Sequence, residues 1–332
     1  MSGDVLLVVV IVVALGFDFT NGFHDTANAI ATSVGTRAVT PRVAVLVAAV
    51  ANLAGAFVTT AVAKNVAKGL IDANLATQQT LIAALAGAIT WNLLTWWFGL
   101  PSSSSHALIG GLVGAALVQS GSKGVLWHGI AHKVVIPALA APAIAFAAAF
   151  CLLLLIYWVF VWLSPGVASR GFRLGQLGTG TWVAFTHGAN DAQKTMGVIA
   201  LALVLHRHGD VASLEIPTWV KVAAGLAIGL GTYVGGWRII RTLGQRVFQM
   251  EPESGFAAQA SAGATIYLAT HYGYPLSTTH VVSGAVMGAG ATKRLSAVRW
   301  GVAGNIVTAW VLTLPAAALV AAGCYWPVQG IF

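Results

Sequence analysis

Apolar positions run along this chain in ten blocks separated by short polar breaks: 5–34, 43–63, 80–100, 106–119, 134–163, 177–205, 220–236, 256–269, 280–289 and 298–322. A helix needs ~20 residues to cross a bilayer, and most of the blocks approach that length. Two of them, 106–119 and 280–289, are short. At ~1.5 Å per residue neither spans a ~30 Å hydrocarbon core, so they read as half-helices that cross or re-enter. Blocks 5–34 and 177–205 are interrupted by polar residues and glycine and read as broken helices. The longest polar stretch, 238–254, is too short for a soluble domain. The pattern predicts an all-α, polytopic membrane protein.

The ten blocks read as five, repeated. Pro101-Ser102-Ser103-Ser104-Ser105-His106 parallels Pro275-Leu276-Ser277-Thr278-Thr279-His280, and the match continues through Gly110/Gly284, Gly114/Gly288 and Ala115/Ala289. Earlier in each half, Thr20-Asn21-Gly22-Phe23-His24-Asp25 parallels Thr186-His187-Gly188-Ala189-Asn190-Asp191. Five is odd, so a second copy enters the membrane from the opposite face. This predicts one membrane domain made of two inverted repeats, 1–165 and 166–332, with half-helices and helix breaks at mid-membrane. Loop charge orients it. With the N-terminus outside, the inner loops hold Arg37, Arg42, Arg170, Arg173, Arg238, Arg241, Arg246, Lys293, Arg294 and Arg299. The outer loops hold Lys64, Lys68, Lys123, Lys133 and Arg207. Ten basic residues against five place both termini on the extracytoplasmic side of a cell membrane.

Composition narrows the class. Apolar residues make up 58% of the 332 and charged residues 8%, against roughly a quarter in a soluble domain. Mean hydropathy is +0.82. A soluble enzyme, a nucleic-acid binder and a disordered chain are excluded, and the lipid bilayer is the expected partner. The net charge of +8 sits in short loops, so it reports topology and not an acidic ligand. Residues 5–17 lack the basic start and cleavage site of a signal peptide and read as the beginning of a membrane helix. Cys151 and Cys324 fall in apolar segments and read as small core side chains.

An ionisable group inside a membrane is costly enough to be a functional candidate. Asp25, Asp191 and Lys194 qualify. Each Asp sits where an apolar block gives way to Gly and Asn. Carbonyls freed by a helix break, a carboxylate and the neighbouring Asn28 or Asn190 would make an oxygen site for a small cation. Lys194 follows Asp191 by three residues, on the same helical face, and either pairs with it or touches an anion. The hydroxyl rows Ser103–Ser105 and Ser277–Thr279 follow a proline and precede a short helix. They cap that helix, and its N-terminus suits an oxyanion. His106 and His280 read as structural, with a proton relay as the alternative; His24 and His187 are given no role.

These stretches resemble the PiT family of inorganic phosphate transporters. The likeness rests on residues 21–33, on 188–197, on Gly235-Gly236-Trp237-Arg238 and on the two Pro…His rows, and it covers nearly the whole chain. It implies a secondary transporter that carries phosphate with Na+ or H+ through inverted repeats, needs no cofactor and forms an oligomer, a dimer favoured. By position it implies that Asp25, Asn28, Asn190 and Asp191 form the ion and phosphate region. It also implies that Ser103, Ser104, Ser105, Ser277, Thr278 and Thr279 bind phosphate, with Lys194 beside them. A related sulfate permease remains the near alternative, and an intramembrane hydrolase using Ser, His and Asp a distant one. A passive anion channel fits poorly with carboxylates at its centre. Voltage supports coupling independently: each charge crossing ~100 mV is worth ~2.3 kcal/mol, so an anion enters a negative-inside cell only with cations.

Overall fold

Helices α1 (Gly3–Gly35), α2 (Pro41–Gly55), α3 (Ala61–Gly69), α4 (Gln78–Phe98) and α5 (Ser104–Ser120) open the chain in a computed structural model that describes residues 3–332. α6 (Trp127–Ile130) leads through a π turn into α7 (Ile136–Val159). The second half runs through α8 (Pro165–His206), α9 (Thr218–Val234), α10 (Trp237–Arg241), α11 (Pro252–His271), α12 (Thr278–Lys293) and α13 (Trp300–Ile331). Among the described residues four stretches are long and apolar enough to cross a membrane: Gly3–Gly35, Gln78–Phe98, Trp127–Val159 and Trp300–Ile331. Large apolar side chains point outward from them, with Leu139 73% and Leu319 74% exposed. Water does not tolerate such a surface, and lipid does.

Two apolar cores lie at opposite ends of the bundle. One gathers Leu6, Val10 and Phe17 of α1 with Leu81 and Leu85 of α4, Leu108 and Leu112 of α5, Met196 and Leu201 of α8, and Tyr325 of α13. The other gathers Ile30 of α1 with Leu153 of α7, Val183 of α8, Ile266 of α11, Val286 of α12 and Ile306 of α13. Between them α1, α8 and the connections before α5 and α12 carry a belt of buried polar residues, from Asp18 to Asn28 and from Thr186 to Thr195. α1 starts in the first core and α13 ends in it, so both chain ends lie at one end of the molecule. α1 and α8 run antiparallel: Asp4 meets His206 at 3.1 Å, and Thr36 donates to Gln176 at 2.8 Å.

The expected helix breaks at Asp25 and Asp191 do not occur. α1 and α8 pass through both motifs without interruption. Neither motif contains the proline that forces a break, and its glycines serve close packing instead. A Cβ on Gly22 would stand 2.4 Å from the Ile228 carbonyl oxygen, and one on Gly188 2.2 Å from that of Asn52. Block 43–63 is two helices, α2 and α3, split at 56–60. Block 177–205 starts earlier, at Pro165, because its amphipathic first turns lie outside the apolar run.

The real breaks are the short-helix starts. α4 ends at Gly99, in the left-handed conformation (φ 65°), before Pro101; Ser103 then caps α5 by accepting from the His106 N–H. α11 ends before Gly273 (φ 76°) and Pro275, and Ser277 caps α12 through the His280 N–H. Each pair is thus a helical hairpin. The α4–α5 hairpin packs in the first apolar core and the α11–α12 hairpin in the second, so they enter from opposite ends and their tips meet in the polar belt. Lys293 pairs with Glu251 across the open end of the second hairpin.

The halves interlock. α4 and α5 pack on α13, while α11 and α12 pack on α7; α1 packs on α9, while α2 packs on α8. The duplicated glycines make equivalent contacts. A Cβ on Gly110 or Gly114 would strike the Leu314 or Ala318 oxygen at 2.4 or 2.0 Å, and one on Gly284 or Gly288 the Pro142 or Phe146 oxygen at 2.4 or 2.1 Å. Small residues let membrane helices approach this closely. Gly114→Ala and Gly288→Ala should therefore each destabilise the protein by about 1–3 kcal/mol, the usual cost of overpacking. Thermal unfolding of detergent-purified variants tests this. Gly304→Ala, with nothing within 4 Å of the added methyl, serves as the unaffected control.

Candidate functional site

On α1 and α8 the belt holds three carboxylates (Asp18, Asp25 and Asp191), an ammonium and two imidazoles away from water. Asp25 is 2% exposed, Asp191 0% and Lys194 1%. At such depth a charge persists only if it is paired and hydrogen-bonded. Lys194 Nζ donates to Asp191 Oδ1 at 2.5 Å, to Ser105 Oγ at 2.5 Å and to the Leu276 carbonyl oxygen at 2.8 Å. It joins α8 to the tips of both hairpins. Ser105 also donates to the Leu276 oxygen, at 2.9 Å, which ties the tips together directly.

Asp25 occupies the matching place on α1. Its Oδ1 faces His24 Nδ1 at 2.6 Å and accepts from Thr279 at 3.5 Å. Asn28 donates to Thr279 Oγ1 at 2.9 Å and to Thr278 Oγ1 at 3.3 Å. Asn28 and Lys194 are thus counterparts, each three residues after its Asp and each donating to the equivalent hydroxyl of the other half's hairpin. Their chemistry differs. An amide brings an acceptor as well as a donor, and an ammonium brings a fixed positive charge and donors only.

Asp25, His187 and Asp191 converge, with ligand atoms within 4.8 Å of one another. His187 Nδ1 lies 2.8 Å from Asn52 Oδ1, and Asn52 donates its amide to Thr232 at 2.9 Å. The Asn oxygen can only accept, so Nδ1 carries the proton. In the neutral ring Nε2 is then a lone pair, 3.4 Å from Asp191 Oδ2 and 3.9 Å from Asp25 Oδ2. Three electron-rich groups aimed at one another call for a positive charge between them, as a metal ion or as a proton on the ring. Side chains form this site; the continuous helices leave no freed carbonyl to join it.

The other expected residues divide by role. Ser103 and Ser277 spend their oxygens on the helix caps. Ser104 approaches only His24 Nδ1, at 3.5 Å, and Thr278 accepts from Asn28, so both keep hydroxyl protons to give. Asn190 is drawn away from the carboxylates. Its amide donates to Thr270 Oγ1 and the Tyr274 oxygen and accepts from the Leu276 N–H, which fixes the second hairpin's tip. His106 and His280 meet edge to face, their rings 4.7 Å apart, beside an apolar cleft lined by Pro142, Phe146 and Trp310, and neither bonds to a carboxylate.

Sequence reasoning passed over His24, His187, Thr95, Ser102 and Asn52. His24 Nε2 meets Thr95 at 3.1 Å and Ser102 at 3.3 Å, so it braces the first hairpin as Asn190 braces the second. His187 carried a usable signal, its position four residues before Asp191 on one helical face. Asn52 carried another, as a lone amide inside an apolar block.

A profile described as the phosphate transporter family matches residues 21–321. A probable low-affinity inorganic phosphate transporter of Mycobacterium bovis is 52% identical over 98% of this chain and 78% of its own length. One of Rhizobium meliloti is 48% identical over 97% and 96%, and one of Bacillus subtilis 42% identical over 99% and 98%. A solved structure described as the sodium-dependent phosphate transporter superposes with a TM-score of 0.90 at 26% identity, covering 99% of this chain and all of its own.

Proposed function

The chain belongs to the phosphate transporter family, and from that premise we propose that it imports inorganic phosphate by symport with Na+ or H+. Access alternates around the polar belt. The observation that carries this reading is the Lys194 bridge: one buried ammonium holds Asp191 and both hairpin tips at once. Ser104 and Thr278 offer hydroxyl protons from the two N-termini, and Lys194 supplies positive charge, which together suit a phosphate between the tips. The coupling cation sits at Asp25, His187 and Asp191 beside it, with Asn28 offering its amide oxygen. Lys194 acts as a resident cation where the other half has Asn28.

The antiparallel α1 and α8, the hairpins from opposite ends and the exchanged packing partners support two inverted repeats. On that reading the two apolar cores are the inner and outer halves of one membrane domain, and opening alternates between them. Both termini are extracytoplasmic in a cell membrane, and a dimer is the expected assembly. Ser102, His24 and Asp25 do stand in the order of a catalytic triad, but Ser102 donates to Thr95 at 2.8 Å and the family is one of transporters, so the hydrolase is set aside.

Phosphate uptake into proteoliposomes tests the reading. Accumulation should follow an imposed Na+ or pH gradient, and sulfate should compete weakly. Uptake indifferent to both gradients would remove the symport. Ser104→Ala and Thr278→Ala should each lower phosphate affinity about fivefold, the loss of about 1 kcal/mol for a buried hydroxyl donor. Equilibrium binding of labelled phosphate measures this, and unchanged affinity in both variants removes the oxyanion role.

A further inference from the structure

We infer that Asp18, Asn21 and Thr195 form a second cation site of the Na+ class, separate from the one at Asp25, His187 and Asp191. Asp18 is fully buried, as is Thr195, and Asn21 is 1% exposed. Both carboxylate oxygens of Asp18, the amide oxygen of Asn21 and the hydroxyl oxygen of Thr195 lack a hydrogen-bond partner. Asn21 lies one turn from Asp18 on α1, and because Asn21 meets Asp191 across the antiparallel pair, Thr195, one turn beyond Asp191 on α8, falls on the Asp18 side. Asn21 is held in place from the other side, its amide nitrogen donating to Asp191 at 3.4 Å.

The donor set decides the ligand. A buried carboxylate on which no hydrogen bond closes is a costly arrangement, and a positive charge completes it. Every unsatisfied atom here is oxygen. A proton on Asp18 would satisfy one pair of these atoms, whereas a hard cation takes oxygens from all three residues. No nitrogen or sulfur is present to favour a transition metal. One carboxylate among neutral oxygens balances a single charge. Asp18 precedes Asp25 by seven residues, about 10 Å along the helix. It adjoins Phe17 and Ala14 of the first apolar core, which contains the start of α1 and the end of α13. On the proposed topology the site is therefore the outer of the two.

The site rests on the symport reading, and the experiment separates them. Purified protein in proteoliposomes is poised with opposing phosphate and Na+ gradients, and the membrane potential of zero net phosphate flux gives the Na+ to phosphate ratio. Asp18→Asn should lower that ratio by one Na+, Asp18→Glu should restore it, and phosphate counterflow with Na+ equal on both sides should persist in both. An unchanged ratio in Asp18→Asn overturns the site while leaving the symport intact. A loss that follows the pH gradient and not the Na+ gradient overturns it in favour of a proton. A wild-type protein without cation-driven flux overturns the symport itself. Carbodiimide labelling of the wild type, read by peptide mass spectrometry, covers a variant that fails to fold. Na+ at about ten times its dissociation constant should cut labelling of Asp18 about tenfold relative to choline, since the free fraction falls as 1 + [L]/Kd. Labelling indifferent to Na+ overturns the site.

Discussion

Lys194→Met should abolish gradient-driven phosphate uptake and destabilise the protein, whereas Lys194→Asn should keep uptake and make it depend more steeply on the cation. The ammonium makes three buried contacts, to Asp191, Ser105 and the Leu276 oxygen. Methionine fills a similar volume and makes none of them. Removing one member of a buried ion pair costs about 3–5 kcal/mol, because the partner is left charged and unpaired. At 1.4 kcal/mol per decade this is a loss of about two to four orders of magnitude in the population of the competent arrangement. Asparagine behaves differently. It reproduces the chemistry of Asn28, whose amide donates to the equivalent hydroxyl at Thr279. A mobile cation can then take the place the ammonium held, and the apparent Hill coefficient for that cation should rise. Initial rates of labelled phosphate uptake at varied Na+ or pH read both outcomes. Full activity in Lys194→Met would remove the bridge from the mechanism.

The duplicated Pro…Ser/Thr…His rows were legible because their signals are local. Proline and glycine stop one helix, a hydroxyl caps the next, and the geometry needs no knowledge of the rest of the chain. Gly110, Gly114, Gly284 and Gly288 were legible as a repeated pair for the same reason. What closes around them was not. Lys194 reaches Ser105 and Leu276 across 89 and 82 residues of sequence, and no periodicity encodes that meeting. The continuity of α1 and α8 was misread because glycine among polar residues looks like a breaker. Gly22 and Gly188 are there to admit the Ile228 and Asn52 carbonyls of neighbouring helices, a demand set by tertiary packing. Asn190 was expected among the ligands because it adjoins Asp191. Helical geometry turns adjacent residues about 100° apart, so Asp191 faces the belt and Asn190 faces the hairpin. The same geometry hid His24, which lies beside Asp25 in sequence and braces Thr95 and Ser102 in space.

Asp25→Asn should uncouple transport while leaving the Lys194 side of the site in place. Asp25 presents one oxygen to His24 and Thr279 and the other toward His187, so an isosteric amide preserves its shape and removes its charge. Without that charge the convergence with His187 and Asp191 no longer holds a cation. The consequence is arithmetic. Each charge moved across ~100 mV contributes ~2.3 kcal/mol to the driving force, so losing one cation per phosphate lowers the steady-state accumulation ratio about 50-fold from voltage alone. The lost concentration gradient of that cation lowers it further. Phosphate exchange under equal ion concentrations draws on no gradient and on the hydroxyls and ammonium of the other half, so it should survive. Steady-state accumulation and exchange, measured on the same vesicles, separate the two effects. Asp25→Asn vesicles that accumulate phosphate to the wild-type level would place the coupling cation elsewhere in the belt.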